Sequence, residues 1–432
     1  MMNGIILGCI ADDLTGATDL ANNLVRAGMR VLLTVDVPSH DGTIDADAVV
    51  VALKSRTIPR AEAAQQSLQS CRWLRRQGAR QIYFKVCSTF DSTAQGNIGP
   101  VIEALMDELN CDFSVVAPAF PDNDRTVFKG HLFAGDVLLS DSGMQNHPLT
   151  PMTDANLVRF LQTQLTPNNG RKVGLIDYRT VAQSASAIGQ RIDKLRSEAV
   201  SIAVADAVNN EDLRRLAAAL HSAPLVTASS GLGIGLPAQW GFTPSPKSSE
   251  LPRAGGRKAI ISGSCSIATN AQVLDFIHRG GASCALDPVQ LASSYDAQIE
   301  KTLSWVDYCW SVNSALPLLV YSTAEPAAIQ STHAALGVTR SGGIIEHAFS
   351  DVARRLVTRG VGQLVVAGGE TAGVCVRALH VQQMQIGPQI DRGVPWCYAT
   401  STGNNTSGLH IALKSGNFGS RDFFIKAFAL LE

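Results

Sequence analysis

Short apolar, β-branched runs separated by amphipathic stretches recur along almost the whole of this sequence, and that alternation narrows the fold class more than any single motif. Ile5–Ile10, Val31–Val35, Ala48–Leu53, Gln81–Val86 and Phe113–Ala117 have the length and composition of buried strands, and Ala61–Arg76 carries a helical pattern between two of them. The series continues through Val173–Asp177, Ser201–Asp206 and Leu225–Ala228. Its character then changes at a Pro/Ser/Gly-rich stretch, residues 243–256, which reads as a linker. A second series opens at Lys258–Ile261, passes through Ala282–Leu286, Leu318–Tyr321 and Leu364–Ala367, and ends in a helix near Arg421–Leu431. Strands alternating with helices imply mostly parallel sheets. The expected fold class is α/β: two three-layer α/β domains, residues 1–242 and 257–432, of unequal size. At 432 residues the chain is too long for one ordinary core and long enough for two. No repeat of solenoid period and no low-complexity segment interrupts the pattern.

Charge excludes whole classes of partner. The 36 basic and 37 acidic residues leave a formal net charge of -1, with no basic block or acidic tail, so no nucleic acid and no membrane surface is expected as a partner. No uninterrupted apolar run approaches the roughly 18 residues a bilayer span needs. Nine cysteines lie scattered from Cys9 to Cys397 without a C-x-x-C pair, which reads as reduced thiols in the cytoplasm. Met1–Cys9 ends in Ile-Leu-Gly-Cys like a lipoprotein cleavage box, but it has no Lys or Arg and its apolar run is too short for a signal sequence. A buried first strand in a cytoplasmic protein is the expectation. Self-association is left open.

In open α/β sheets ligands lie beyond the carboxyl ends of the strands, so the residues after each apolar run are the informative ones. The first run feeds Ala11-Asp12-Asp13-Leu14-Thr15-Gly16-Ala17-Thr18-Asp19. Adjacent carboxylates, a glycine and hydroxyls at a helix start suit a polyhydroxylated substrate, with Asp12 or Asp13 polarising one hydroxyl; the plainer alternative is a helix cap. Gln81–Val86 feeds residues 87–100, where Lys85 is placed to neutralise a carboxylate and Ser88, Thr89, Asp91, Ser92, Thr93 and Asn97 offer hydrogen bonds to hydroxyls or phosphate. A solvated Ser/Thr loop is the alternative there. Arg56, beyond another strand end, is either a fork for a substrate carboxylate or half of a surface ion pair. A third loop, Pro118–Thr126 continuing to Gly130-His131, reads as an ordered connection because its prolines forbid regular helix. His131 reads as a packed or capping histidine, and no spacing recommends any of the nine histidines as a metal pair.

The second series has its own loops. Ile260-Ile261 delivers Ser262-Gly263-Ser264-Cys265-Ser266, Val365-Val366-Ala367 delivers Gly368-Gly369-Glu370-Thr371, and Ala412-Leu413 delivers Lys414-Ser415-Gly416-Asn417-Phe418-Gly419. Small residues with free backbone N–H groups at such points suit a nucleotide phosphate or ribose, a tight turn being the alternative. G-x-x-x-x-G-K-[ST] appears nowhere, and no G-x-G-x-x-G opens a βαβ unit, which disfavours an NAD-dependent oxidoreductase and leaves a nucleotide site of another type.

Taken together, Ala11–Asp19, Leu53–Pro59, Lys85–Pro100, Gly130–Met152, Ser262–Asn270, Gly368–Thr371 and Ala412–Gly419 resemble the four-carbon acid-sugar kinase family, in order and over nearly the whole chain. The wording of residues 87–97 and 414–419 resembles its 3-oxo-tetronate kinase branch, since threonate and erythronate kinases tend to carry Leu-Arg where Ala94-Gln95 stand. The resemblance implies a small acid-sugar substrate bound by the first domain, ATP bound by the second, and an active-site cleft between them. It places ATP contacts on Ser262, Gly368, Gly369, Glu370, Thr371 and Gly416. It implies transfer of the γ-phosphoryl group to the 4-hydroxyl of 3-dehydro-erythronate, with Mg²⁺ bridging phosphate oxygens. Arg56 and Lys85 are then expected to hold the substrate carboxylate. Residues 400–408 are longer and more polar than the family pattern at that point.

Overall fold

The computed structural model describes residues 4–38, 42, 44–147, 149–400 and 408–431, so most of the polar 400–408 stretch lies outside the described residues. The chain divides into two compact units, Met1–Ser249 and Glu250–Glu432.

In the first unit eight strands form one sheet: β1 (Leu7–Ala11), β2 (Val31–Val35), β3 (Ala48–Ala52), β4 (Gln81–Lys85), β5 (Ser114–Ala117), β9 (Val173–Ile176), β10 (Ile202–Ala205) and β11 (Leu225–Ala228). Their order is β2-β3-β1-β4-β11-β5-β10-β9, and every pairing is parallel. β1, β3 and β4 are buried along their whole length, as expected of parallel strands covered on both faces. The chain leaves β1, builds β2 and β3 to one side, then crosses to β4 on the other. β1 therefore lies at a topological switch point, where a crevice opens beyond the strand ends. Register makes this exact enough to use: Ala11 aligns with Ala52 on one side and Lys85 on the other, so the loops after the three strands start level.

One part of this unit departs from the sequence reading. The Pro118–His131 connection is not only an irregular loop. After a short 3₁₀ turn at Pro121–Asn123 it becomes β6 (Arg125–Phe128), which with β7 (His131–Ala134) and β8 (Val137–Leu138) forms a separate three-stranded antiparallel sheet. Lys129 and Gly130 join β6 to β7, both with positive φ, the geometry of a tight two-residue hairpin. Asp206 fixes that turn, accepting from the N–H groups of Lys129 and Gly130.

The second unit carries β12 (Arg257–Ser262), β13 (Ala282–Ala285), β14 (Leu318–Tyr321), β15 (Val361–Ala367), β16 (Gln383–Asp391), β17 (Val394–Ala399) and β18 (Leu409–Lys414). The order is β13-β14-β12-β15-β18-β17-β16. The first four pairings are parallel and the last two antiparallel, the β16–β17 hairpin having had no counterpart in the sequence reading. Trp396, Phe423, Phe424 and Phe428 pack with Val365 and Ala412 in this unit's core, and the Trp396 indole N–H donates to the Ala427 carbonyl. Ser262 aligns with Ala367, and Ala367 with Lys414, so three adjacent parallel strands again end level.

Residues read as linker are tied down at both ends. Ser248 Oγ donates to the Val25 carbonyl in the first unit, and the Glu250 and Pro252 carbonyls accept from Gln385 and His410 in the second. No helix among the described residues is long and apolar enough to cross a membrane.

Candidate active site

Beyond β1, β3 and β4 three carboxylates face two cations. Arg56 grips Asp12 with two parallel bonds, Nε to Oδ2 at 2.8 Å and Nη2 to Oδ1 at 3.0 Å. The same Nη2 reaches Asp13 Oδ1 at 2.6 Å, and Nη1 lies 3.5 Å from Asp91 Oδ2. Lys85 Nζ adds a contact to Asp13 Oδ1 at 3.3 Å. Asp13 is also the cap of the helix Leu14–Arg26, its Oδ2 accepting from Gly16 N–H and Thr15 Oγ1. The capping reading of this motif therefore holds for Asp13, which is ion-paired at the same time. Gly16 leaves room for this contact: a Cβ there would sit 1.7 Å from Lys85 Nζ and 2.3 Å from Asp13 Oδ1, so the ion pair would have to shift.

Burial works against the charge of each of these groups, and pairing overcomes it. Burial alone would raise the Asp13 carboxyl, but Arg56 and Lys85 hold it well below the usual carboxylate range. Burial would lower both cations, yet Asp12 and Asp13 push Arg56 well above, and Lys85 above, their ordinary values. Asp19, nearly two turns further along the helix, forms no ion pair among the described residues, although Lys85 acts on it at longer range. Burial pushes its carboxyl up to about 6; Ser230 Oγ serves Oδ2, while Oδ1 has no partner among the described residues.

The remaining residues expected in this site divide. Thr89 Oγ1 donates to Asp91 and sits 3.0 Å from Cys87 Sγ, so both belong to the cluster. Ser88 lies beside them, half-buried. Asn97 does not point outward: its Nδ2 serves the carbonyls of Ser55, Arg56 and Ile58 at 2.8, 3.2 and 2.8 Å, anchoring the loop that carries Arg56. Asp12, Arg56, Phe84, Asp91, Asn97 and Val101 share the lining of one small cleft. Ala94 and Gln95 are exposed, and their carbonyls accept from Arg60. Gln164, which nothing in the local sequence flagged, ties this loop together by donating to Ser92 Oγ and accepting from Gly99 N–H.

In the second unit the loops after β12, β15 and β18 meet. A Cβ on Gly263 would lie 2.3 Å from Thr371 Oγ1, one on Gly368 3.2 Å from Ser264 N, and one on Gly416 2.4 Å from Ser264 Oγ. Gly369 and Glu370 are exposed at the first turn of the helix Gly369–Ala378, while Thr371 is buried against the neighbouring loop. Ser262 is fully buried, with its hydroxyl 2.7 Å from Thr323 Oγ1. Of the six expected ATP residues, Gly368, Gly369, Glu370, Thr371 and Gly416 therefore lie at one loop cluster, and Ser262 lies beneath it. Nothing in the sequence gives Lys414 a role of its own. Burial pushes its ammonium down to about 7, against four oxygen acceptors that favour the charged form.

No group of three or more His, Cys, Asp or Glu side chains able to hold a metal occurs among the described residues. A Mg²⁺ ion would therefore have to take most of its ligands from phosphate oxygens and water rather than from a protein cage.

These two clusters, one of carboxylates and cations and one of small residues at strand ends, define a two-unit α/β protein with charged side chains gathered at the strand ends of one unit and largely bare backbone at those of the other. Residues 7–236 match the family model of a sugar-binding N-terminal domain, and residues 259–424 that of a nucleotide-binding C-terminal domain. A 3-oxo-tetronate kinase of Pseudomonas savastanoi pv. phaseolicola is 48% identical, over 98% of this chain and 96% of its own. One from Burkholderia multivorans is 48% identical over 99% and 97%. Among solved structures, a Salmonella typhimurium LT2 protein with a provisional tRNA-synthase label is 40% identical, covers 98% of each chain and superposes with a TM-score of 0.87. A Haemophilus influenzae protein is 42% identical over 98% of this chain and 100% of its own, with a TM-score of 0.80. The chain belongs to the four-carbon acid-sugar kinase family.

Proposed function

We propose that this protein is an ATP-dependent 3-oxo-tetronate kinase, which moves the γ-phosphoryl group of ATP to the 4-hydroxyl of 3-dehydro-erythronate. The observation that carries the proposal is likeness across both units, at 48% identity, to proteins named for that activity. The geometry supplies fitting chemistry. Asp12 takes the proton of the attacking hydroxyl, its present partner being the guanidinium for which a substrate carboxylate competes. Lys85 and Arg56 bind that carboxylate, and Thr89, Asp91 and Ser88 receive the remaining oxygens. ATP lies on the loops 368–371 and 415–419. Mg²⁺ bound with ATP would supply charge neutralisation at the phosphates, and Glu370, in the first turn of the helix Gly369–Ala378, would help to hold it. The protein contributes mainly position and charge stabilisation, as phosphoryl transfer requires.

A coupled assay of ADP release across four-carbon acids, with and without the 3-keto group, tests the reading. Stoichiometric ADP with the 3-keto acid supports it. Turnover of threonate or erythronate with comparable kcat/KM removes the branch assignment and leaves the family; ADP release with none of them removes the substrate class.

A further inference from the structure

Lys414, the last residue of β18, is fully buried, a costly place for an ammonium group. It has no acidic partner among the described residues. Its Nζ instead donates to Thr269 Oγ1 at 3.0 Å and to the carbonyl oxygens of Ser415, Gly416 and Phe418 at 3.0, 3.1 and 3.1 Å. Four acceptors use up its three protons, so nothing remains for a ligand. This separates it from a lysine that reaches phosphate oxygens as a point charge.

The consequence lies on the far side of the peptide planes. A trans peptide carries its C=O and N–H on opposite sides, and no cis bond occurs among the described residues. Drawing the carbonyls of residues 415, 416 and 418 inward therefore turns the N–H groups of Gly416, Asn417 and Gly419 outward. None of these three donates to an acceptor among the described residues, and Asn417 is exposed. Two further bonds stiffen the loop from beneath, since Ser266 Oγ and Thr269 Oγ1 donate to the Gly416 carbonyl at 2.6 and 2.7 Å.

We propose that Lys414 is a positioning residue that turns three of the four loop peptides between Ser415 and Gly419 inside out, so that the Gly416, Asn417 and Gly419 N–H groups form a cradle for a phosphate group of the nucleotide. Outward rows of backbone N–H groups bind anions in this way. The identity of the ligand rests on the kinase reading above; the inverted loop does not.

The test is calorimetric titration of the full chain with ATP and, separately, with adenosine, which lacks phosphate. Lys414→Met keeps the aliphatic stem and removes the charge. It should weaken ATP by roughly 10- to 100-fold and change adenosine by less than about twofold, since charge-assisted bonds orient the cradle but not the base. Thermal unfolding checks that this variant folds. Should it not, Thr269→Val and Thr269→Ser carry the test: valine removes the hydroxyl that links Lys414 to the Gly416 carbonyl and should weaken ATP several-fold, whereas serine keeps it and should bind as the parent does. Unchanged ATP affinity in Thr269→Val, or in folded Lys414→Met, overturns the proposal, as does an equal loss of ATP and adenosine. Failure of the acid-sugar assignment shows separately, as absent ADP release from a parent protein that still binds ATP.

Discussion

Asp12 and Asp13 are neighbours in sequence with different availability for proton transfer. Both oxygens of Asp13 are committed, one to the helix start and one to two cations, which hold its carboxyl far below the usual range and make it a poor proton acceptor. The Asp12 carboxylate accepts hydrogen bonds from Arg56 alone among the described residues. Asp12→Asn should therefore lower kcat by about 10²–10⁴-fold with ATP affinity unchanged, whereas Asp13→Asn should chiefly lower the unfolding temperature. Steady-state kinetics and thermal unfolding of the pair decide this; the reverse order of kcat losses moves the base to Asp13. Asp19 predicts a pH effect. Its folded value of about 6 is raised by burial above the unfolded value near 4, so its contribution to stability is whole below about pH 4 and is lost as pH rises through about 6. Asp19→Asn keeps an acceptor for Ser230 and cannot ionise. Relative to the parent it should gain roughly 1–3 kcal/mol between pH 4 and 7.5, read from denaturant unfolding at both ends. A difference that does not change with pH would show that Asp19 is not buried as a titrating carboxyl.

At the scale of elements, the loop carrying Arg56 is not held by its own sequence but by Asn97, forty residues on at the start of the helix Ile98–Glu108. Asn97→Ala leaves three carbonyls without their donor. It should cost about 1–3 kcal/mol of stability and reduce kcat/KM for the acid sugar, while the ATP constant stays put. Equal kinetics in variant and parent would mean the Arg56 loop holds itself. The sequence made the strands and the chemistry of their ends legible, because buried parallel strands are continuous apolar runs and the polar residues after them stand out. Which ends are neighbours was not legible, since β1 lies between β3 and β4 only through the crossover of the chain. That is why Arg56 read equally as a carboxylate fork or an ion pair: its partner Asp12 is 44 residues away. Asn97 read as a substrate contact for the same reason. The hairpin β6–β7 was missed because its turn is Lys129-Gly130 and its strands are only four residues long, partly exposed and without clean alternation. Lys414 looked like one more polar residue at a strand end; its burial depends on β18 lying between β15 and β17.

At the scale of the whole molecule, the same arrangement occurs once in each unit. Three adjacent parallel strands end level, β3-β1-β4 in the first and β12-β15-β18 in the second, and each trio presents three loops. What differs is the residues on those loops: charged side chains in the first, and largely glycine, serine and backbone in the second. Charged side chains suit an acid whose carboxylate and hydroxyls need directed partners, whereas bare backbone suits phosphates, which accept from many N–H groups. Binding of the two substrates should then be separable by mutation. Gly16→Ala places a methyl group on the Lys85 ammonium, 1.7 Å from Nζ, and displaces a buried, ion-paired side chain. It should raise the acid-sugar KM by about tenfold or more and move the ATP KM by less than about twofold. Gly416→Val drives a branched side chain against Ser264, whose Oγ already lies 2.4 Å from an ideal Cβ. It should do the opposite, raising the ATP KM and sparing the acid-sugar constant. Both measurements come from the same coupled ADP assay with one substrate saturating and the other varied. If Gly16→Ala moves the ATP constant as far as the acid-sugar constant, charge at Lys85 is felt by both substrates, and the division of binding between the units has to be given up.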